Sequence, residues 1–151
     1  MTFDAIFDEL KKFDSVMELN KPLTKGQLQE FQNSNGIIFP QAYTNMLEKF
    51  DGGEIFIPGT VLYGIIGDGH RPTVREINGK NTRKDFSIPR TYLIIGKNNY
   101  GDFICIDLNG QNEIIQWDHE SDEEFCRWDN LEAWFVETIS DYKRYECGTQ
   151  Q

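Results

Sequence analysis

Three short apolar runs in the second half of the chain, separated by turn-forming residues, constrain the fold most strongly. They span residues 92–95, 103–107 and 113–117. The first connection contains Asn98-Asn99-Tyr100-Gly101 and the second contains Asn109-Gly110, and both favour tight turns between antiparallel strands. The run 92–95 is apolar at every position, which is typical of a strand buried on both faces. These features predict an antiparallel meander with a central strand at 92–95.

Helices are predicted at the two ends of the chain. Over the first eighteen residues, apolar side chains recur at three- and four-residue steps: Phe3, Ile6, Phe7, Leu10, Phe13 and Met17. This spacing predicts an amphipathic helix that Thr2 caps and that Lys21-Pro22 ends. A last helix is expected to begin after Asp129 or Asn130. Its inward-facing residues are Leu131, Trp134, Phe135, Ile139 and Tyr142.

Two further helices are predicted between residues 24 and 53. Thr24 and Gln27 have the spacing of a capping box, and Asn35-Gly36 is a typical left-handed helix end. Pro40 suits the first position of the next helix because it has no amide hydrogen to lose. The apolar stripe of that helix is Tyr43, Met46, Leu47 and Phe50. Gly52-Gly53 supplies the positive φ that ends it, so this stretch is interpreted as a short core helix.

The middle of the chain combines short strands with a polar segment. Residues 55–57 and 61–66 are apolar runs on either side of a Pro58-Gly59 turn. Residues 67–89 predict a long, basic surface segment with a helical turn near 73–78, and residues 118–124 predict an acidic loop. The chain is therefore expected to form a single α+β domain over residues 1–151. In this fold, N-terminal helices and a C-terminal helix pack on a mixed, mostly antiparallel sheet.

Cysteine use and the N-terminal residues favour a cytoplasmic protein. The three cysteines, Cys105, Cys126 and Cys147, form no CxxC pair or metal-ligand spacing, which favours a reducing compartment over a disulfide framework. The N-terminus carries acids where a secretory signal would carry basic residues. No apolar run approaches the roughly 20 residues that a membrane-spanning helix needs.

Charge is distributed unevenly along the chain. The net charge of −10 argues against a direct affinity for nucleic acid or for an anionic membrane. Residues 71–97 hold seven basic residues against two acids, whereas residues 101–141 hold twelve acids against one base, Arg127. Such a charge run is commonly a solvated face, and it can also mimic a polyanion toward a cationic partner.

Catalytic and metal-binding patterns are weak in this sequence. Asp68 with His70, and the run Asp118-His119-Glu120, place carboxylates beside imidazoles, which zinc and manganese accept as ligands. Neither group has the helical spacing of a metal site. Cys105 lies in an apolar strand without the basic neighbour that a nucleophilic cysteine needs. We therefore expect no catalytic residue, no metal and no cofactor, with a small metal-dependent hydrolase as a remote alternative.

Several segments in a fixed order resemble the SUKH superfamily, which takes in bacterial immunity proteins and the domain of fungal regulators of cell-wall glucan synthesis. The segments are LTKGQLQEFQNSNGIIFPQAYTNMLEKFDGG, LYGII, YLIIGKNNYGDFICID, EIIQWDHE and WDNLEAWFVETI. The motif residues that they contribute are Gly36, Pro40, Tyr43, Gly52, Gly53, Gly101, Asp102, Trp117 and Trp134. The resemblance implies an α+β domain that binds proteins without catalysis, and in which these residues set helix ends and core packing.

The resemblance also implies a class of partner. Similar bacterial domains bind and neutralise polymorphic toxins, many of which are nucleases. The acidic segment is a hypothesis for the surface that meets such a toxin. Its acids are Asp118, Glu120, Asp122, Glu123 and Glu124, and its candidate aromatic anchors are Tyr100, Phe125 and Trp128. A regulatory scaffold in cell-wall synthesis signalling is the alternative among binding proteins.

Overall fold

A seven-stranded antiparallel sheet forms the centre of the computed structural model, which describes residues 1–149, with side chains up to residue 146. The strands are β1 (Met17–Leu19), β2 (Gly53–Ile55), β3 (Thr60–Leu62), β4 (Tyr92–Lys97), β5 (Phe103–Asp107), β6 (Ile114–Asp118) and β7 (Glu123–Trp128). Each strand pairs with the next along the chain, and every one of these pairings is antiparallel. The predicted α+β class is confirmed, and β4 is the middle strand of the meander.

The helices begin and end largely where the capping residues indicate. They are α1 (Phe3–Lys11), α2 (Lys25–Asn35), α3 (Gln41–Leu47), α4 (Val74–Ile77), α5 (Lys80–Arg83) and α6 (Leu131–Thr149), with a 3₁₀ turn at Asp14–Val16. The Thr2 hydroxyl accepts a hydrogen bond from an amide of α1, and Thr24 forms the predicted capping box. Gly36 ends α2 with a φ of 60°. At α6 the cap is Asn130, whose side chain accepts from the Ala133 amide.

The prediction of a long N-terminal helix is wrong beyond Lys11. Met17, assigned to the apolar face of that helix, instead begins β1 and lies opposite Ile55 of β2. Asn20 extends this attachment, since its backbone amide and its side-chain amide donate to the carbonyls of Gly52 and Asp51. A continued helix would bond these backbone groups internally but would lose the pairing with β2. The sheet contact therefore overrides the helical spacing.

The acidic loop is also shorter than predicted, because residues from Glu123 onward form β7. This edge strand runs along β6, with Trp128 opposite Ile114, and Phe125 is the extra residue of a β-bulge. Aromatic residues favour strands, but the neighbouring acids obscured the pattern. Charges and a bulge on an edge strand discourage uncontrolled pairing with other chains.

The Gly-Gly pair after α3 has a different role from the predicted one. The helix begins at Gln41, after Pro40, and ends at Leu47, so Gly52 and Gly53 instead lead into β2 with φ values of 71° and 131°. A Cβ atom on Gly53 would lie 2.1 Å from the Glu18 carbonyl oxygen. Gly53 therefore allows the close approach of β1 and β2, whereas a Cβ atom on Gly52 would lie 2.3 Å from the Leu62 carbonyl oxygen of β3.

The two faces of the sheet are covered by different parts of the chain. Helices α1, α3 and α6 contact one another, and the indole of Trp128 in β7 donates to Glu137 of α6. On the opposite face lies the basic segment, whose Phe86 ring packs edge-on against Phe103 at 5.0 Å. The side chain of Asn78 bonds both the amide and the carbonyl of Ile94, at 2.9 Å each. Asn78 thereby replaces a strand partner where β3 has left the sheet.

Apolar side chains from every layer form one core. The largest that are fully buried include Tyr43, Phe50, Phe135, Ile6, Leu10 and Met46. Cys105 is a free thiol inside this core, and burial raises its pKa to about 12, which leaves it unreactive at neutral pH. Cys126 is also free, and the side chain of Cys147 lies outside the described residues. Among residues 1–149, no helix combines the length and apolar character needed to cross a membrane.

Candidate protein-binding surface

The β4–β5 and β6–β7 turns lie at the same end of the sheet, because consecutive antiparallel strands alternate in direction. In the β4–β5 turn, the side-chain oxygen of Asn98 accepts hydrogen bonds from the amides of Tyr100 and Asp102, at 3.0 Å each. Gly101 has a φ of 95°, and a Cβ atom there would lie 3.2 Å from the His119 ring of the β6–β7 turn. Glycine at this position lets the two turns pack against each other.

Asp102 joins the two turns through its buried carboxylate. It accepts hydrogen bonds from the Gln116 side chain at 2.8 Å, the His119 amide at 3.1 Å and His119 Nδ1 at 2.7 Å. Burial acts to raise the pKa of Asp102, but the bonds from His119 and Gln116 outweigh it and hold the pKa below its ordinary value. The charged form of Asp102 is therefore the one that the fold stabilises.

We expect the stability of the protein to fall in acid, partly because of this carboxylate. A group whose pKa is lower in the folded state contributes fully above its unfolded pKa, 3.8 for Asp102, and loses that contribution as the pH falls through the folded value. Urea midpoints should therefore decline below about pH 4. Asp102→Asn should start from a lower midpoint at neutral pH and decline less steeply. Parallel pH profiles for the two proteins would contradict this role for Asp102.

Asp102, Asp118 and His119 are the residues at this end that could hold a metal ion. One carboxylate oxygen from each aspartate and a ring nitrogen of His119 lie within 4.8 Å of one another. Both oxygens of Asp102 already accept hydrogen bonds, and Asp118 accepts from the amides of Glu120 and Ser121. A metal would have to displace several of these bonds, so our prediction remains that the fold requires none. In the described part of the chain, Asp68 and His70 belong to no such group.

Asp122, one of the five acids predicted to bind a partner, has a structural role instead. Its carboxylate accepts from the Ser87 amide at 2.8 Å and from the Trp117 indole at 3.0 Å. Hydrogen bonds from Ser87 and Trp117 lower the pKa of Asp122, with Ser87 the larger cause. Asp122 thus attaches the basic segment to β6, and removing its charge would disturb the fold as well as any interface.

The carboxylate of Glu124 is likewise hydrogen-bonded within the fold, in this case to Arg127, the only base of the acidic segment. Arg127 donates to both oxygens of Glu124, at 3.0 and 2.8 Å, and also to Glu113 at 3.0 Å and to the Tyr92 hydroxyl at 3.0 Å. Arg127 lowers the pKa of Glu124, and the neighbouring acids raise that of Arg127. This network offsets part of the negative charge that the sequence places here.

The charges that remain available are those of Glu120 and Glu123. The side chain of Glu120 is 85% exposed, with His119 Nε2 at 3.8 Å, and the exposed side chain of Glu123 accepts no hydrogen bond from any described residue. Among the aromatic candidates, Tyr100 and Phe125 are 76% and 68% exposed, whereas Trp128 is half-buried and bonded to Glu137. The candidate surface therefore consists of Tyr100, Glu120, Glu123 and Phe125, with Asp118 half-exposed beside them.

The motif residues lie at helix ends, tight turns and the core. Pro40 precedes α3, and Gly36, Gly52, Gly53 and Gly101 have positive φ. Tyr43, Trp117 and Trp134 are buried, with 1%, 7% and 3% of their surface exposed.

The sequence did not predict the structural role of three polar residues that organise the fold. Asp51 accepts from the amides of Ile65, Ile66 and Gly67 at 2.6, 3.0 and 2.9 Å. The other two are Asn78 and Arg127. Asp51 precedes a Gly-Gly pair, which was the only available signal, whereas Asn78 and Arg127 act through contacts distant in sequence.

Comparison with known proteins supports the resemblance to the SUKH superfamily that the sequence indicates. No curated protein matches the chain. The model of the SMI1/KNR4 family (SUKH-1) matches residues 22–137, from the approach to α2 into the middle of α6. This range is more than half of the chain and contains β2 to β7 as well as the Gly-Gly pair and the two facing turns. The protein therefore belongs to the SMI1/KNR4 family (SUKH-1).

Proposed function

We propose that this protein is a non-enzymatic immunity protein that binds a toxin domain and covers its active site. Membership of the SUKH-1 family is consistent with protein binding. The observation that carries the proposal is that exposed acids and exposed aromatic rings lie at the same end of the sheet. Among the described residues, no lysine or arginine pairs with Glu120 or Glu123, and Glu120 lies 3.8 Å from His119 Nε2. Tyr100 and Phe125 present large apolar surfaces to solvent.

The mechanism requires no bond to be made or broken. Exposed carboxylates attract a cationic surface, such as the substrate groove of a nuclease, and raise the rate of association. The exposed aromatic rings supply apolar contact area once the complex forms, and aromatic residues frequently carry most of the binding energy. Asp102 and its hydrogen bonds keep the two turns in fixed relative positions, which limits the entropy lost on binding.

Neutralising Glu120 and Glu123 should slow toxin binding. In Glu120→Gln/Glu123→Gln, association with the proposed toxin domain should be about tenfold slower at low salt, because electrostatic steering is worth about 10- to 1000-fold in rate. Raising the salt from about 0.05 to about 0.5 M should slow the unmodified protein similarly, since screening weakens the same field. Stopped-flow fluorescence or surface-binding kinetics measures both effects.

The matched control removes two negative charges elsewhere. Asp8 and Glu30 are exposed on α1 and α2, and no described residue forms a hydrogen bond or ion pair with either side chain. Asp8→Asn/Glu30→Gln should change the association rate by less than about twofold. Equal slowing by both pairs would assign steering to net charge alone and would contradict this location of the interface. A toxin domain that neither binds nor is inhibited would contradict the immunity role and favour a regulatory scaffold.

A further inference from the structure

A concave surface, distinct from the candidate protein-binding surface, lies on the face of the sheet that carries the basic segment. Between the β2–β3 turn, the start of that segment and the end of β4 there is an open groove of about 390 Å³. Its apolar lining includes Val61 of β3, Pro58 and Pro72. Lys97 borders the groove at the end of β4. Apolar walls of this kind are typical of sites that accept a side chain of a ligand.

The side-chain acceptors of Glu54 and Asn98, which line the groove, already receive hydrogen bonds. Arg71 donates to one carboxylate oxygen of Glu54 at 3.3 Å, and the Gly59 amide donates to the other at 3.2 Å. The side-chain oxygen of Asn98 accepts from two amides of its own turn. A ligand that offered further donors would have to share these acceptor atoms with the bonds that they already make.

Three donors around the groove, those of Tyr63, Lys97 and Asn98, are by contrast unused. The residue Tyr63 is 5% exposed, and its hydroxyl has no hydrogen-bond partner among the described residues. The Lys97 ammonium has no acidic partner in the described part of the chain, and it lies 5.7 Å from the centre of the Phe103 ring. The side-chain amide nitrogen of Asn98 donates to no described residue. These three donors are therefore available to an acceptor that a ligand brings into the groove.

We propose that this groove binds a segment of a protein partner in which a carboxylate side chain lies next to an apolar one. The carboxylate would accept from Tyr63, Lys97 and Asn98, and the apolar side chain would pack against Val61, Pro58 and Pro72. The walls favour this ligand over an inorganic anion, because a bare anion would leave the apolar lining uncovered. The groove is separate from Glu120 and Glu123, so this inference does not depend on the immunity role.

The test uses two pentapeptides that differ in one group. Ac-Gly-Leu-Glu-Leu-Gly-NH2 carries the carboxylate between apolar side chains, and Ac-Gly-Leu-Gln-Leu-Gly-NH2 replaces it with an amide. In ¹H–¹⁵N NMR titrations of the full chain, the Glu peptide should shift the amides of Val61, Tyr63, Lys97 and Asn98. The Gln peptide should bind at least about tenfold more weakly, since it loses the charge-assisted bonds.

Single substitutions locate the interaction. Lys97→Gln should weaken binding of the Glu peptide about fivefold and Tyr63→Phe about threefold, in keeping with one charged and one neutral hydrogen bond. Lys80→Gln removes an equally exposed lysine of the basic segment outside the groove and should have no effect. Equal binding of the two peptides, or shifts outside the groove only, would overturn the proposal. Binding of 3-phenylpropionate as tightly as the Glu peptide would also overturn it, in favour of a small-molecule site.

Discussion

Replacing Tyr43 with alanine should destabilise the protein by about 3 to 5 kcal/mol, the range observed for removal of a large buried aromatic side chain. Tyr43 is 1% exposed and lies in α3, and its ring meets that of Phe39 edge-on at 5.0 Å. Truncation would remove this contact and leave a cavity beside Met46 and Leu47, which are themselves fully buried. Urea denaturation followed by far-UV circular dichroism measures the loss. A change below about 1 kcal/mol would contradict a core role for Tyr43.

The matched variant Tyr43→Phe separates the ring from its hydroxyl. The hydroxyl oxygen is buried and has no hydrogen-bond partner among the described residues. An unsatisfied buried hydroxyl costs about 1 to 3 kcal/mol, so its removal should leave the free energy of unfolding unchanged or increase it. Burial, and to a lesser degree the charge of Asp51, raises the pKa of Tyr43, so the hydroxyl stays protonated. A clear loss of stability in Tyr43→Phe would show that the hydroxyl has a partner in solution, such as a buried water.

Local signals predicted those parts of the fold that local chemistry determines. Thr24 and Gln27 stand three residues apart, and the capping box that they form involves no other part of the chain. The turn signals at Asn98 and Gly101 similarly fix the β4–β5 hairpin, because a side-chain acceptor and a positive φ suffice to reverse the chain. Such interactions can be inferred from a few consecutive residues.

Features that depend on distant contacts could not be predicted in this way. Met17 continues a helical spacing, yet it joins a strand because Ile55 lies beside it in the folded protein. Arg127 is a lone base in an acidic stretch, and only the sheet register brings Glu113 and Tyr92 within its reach. The location of the partner-binding surface stays a prediction, and three of its five predicted acids, Asp118, Asp122 and Glu124, accept hydrogen bonds within the fold.

Asp51→Ala should be comparably destabilising, at about 3 to 5 kcal/mol, because it removes a buried charged acceptor and leaves its donors unpaired. The residue is 2% exposed, and its two oxygens receive three consecutive backbone amides, from Ile65 to Gly67. These bonds hold the chain where it leaves β3. Loss of the carboxylate should therefore also loosen the start of the basic segment, with faster amide hydrogen exchange at these three positions.

Two further variants distinguish this role from a general effect of charge. Asp51→Asn retains one acceptor oxygen but places an amide group against the remaining donors, so the loss should be smaller, at about 1 to 3 kcal/mol. Asp85 is exposed on the same basic segment and its side chain makes no hydrogen bond to the described residues, so Asp85→Ala should alter stability by less than about 0.5 kcal/mol. Because the charge of Asp51 also acts on the buried Tyr43 hydroxyl, Asp51→Ala combined with Tyr43→Phe should depart from additivity. Equal losses in Asp51→Ala and Asp85→Ala would show that removal of negative charge, and not the loss of three amide partners, sets the stability.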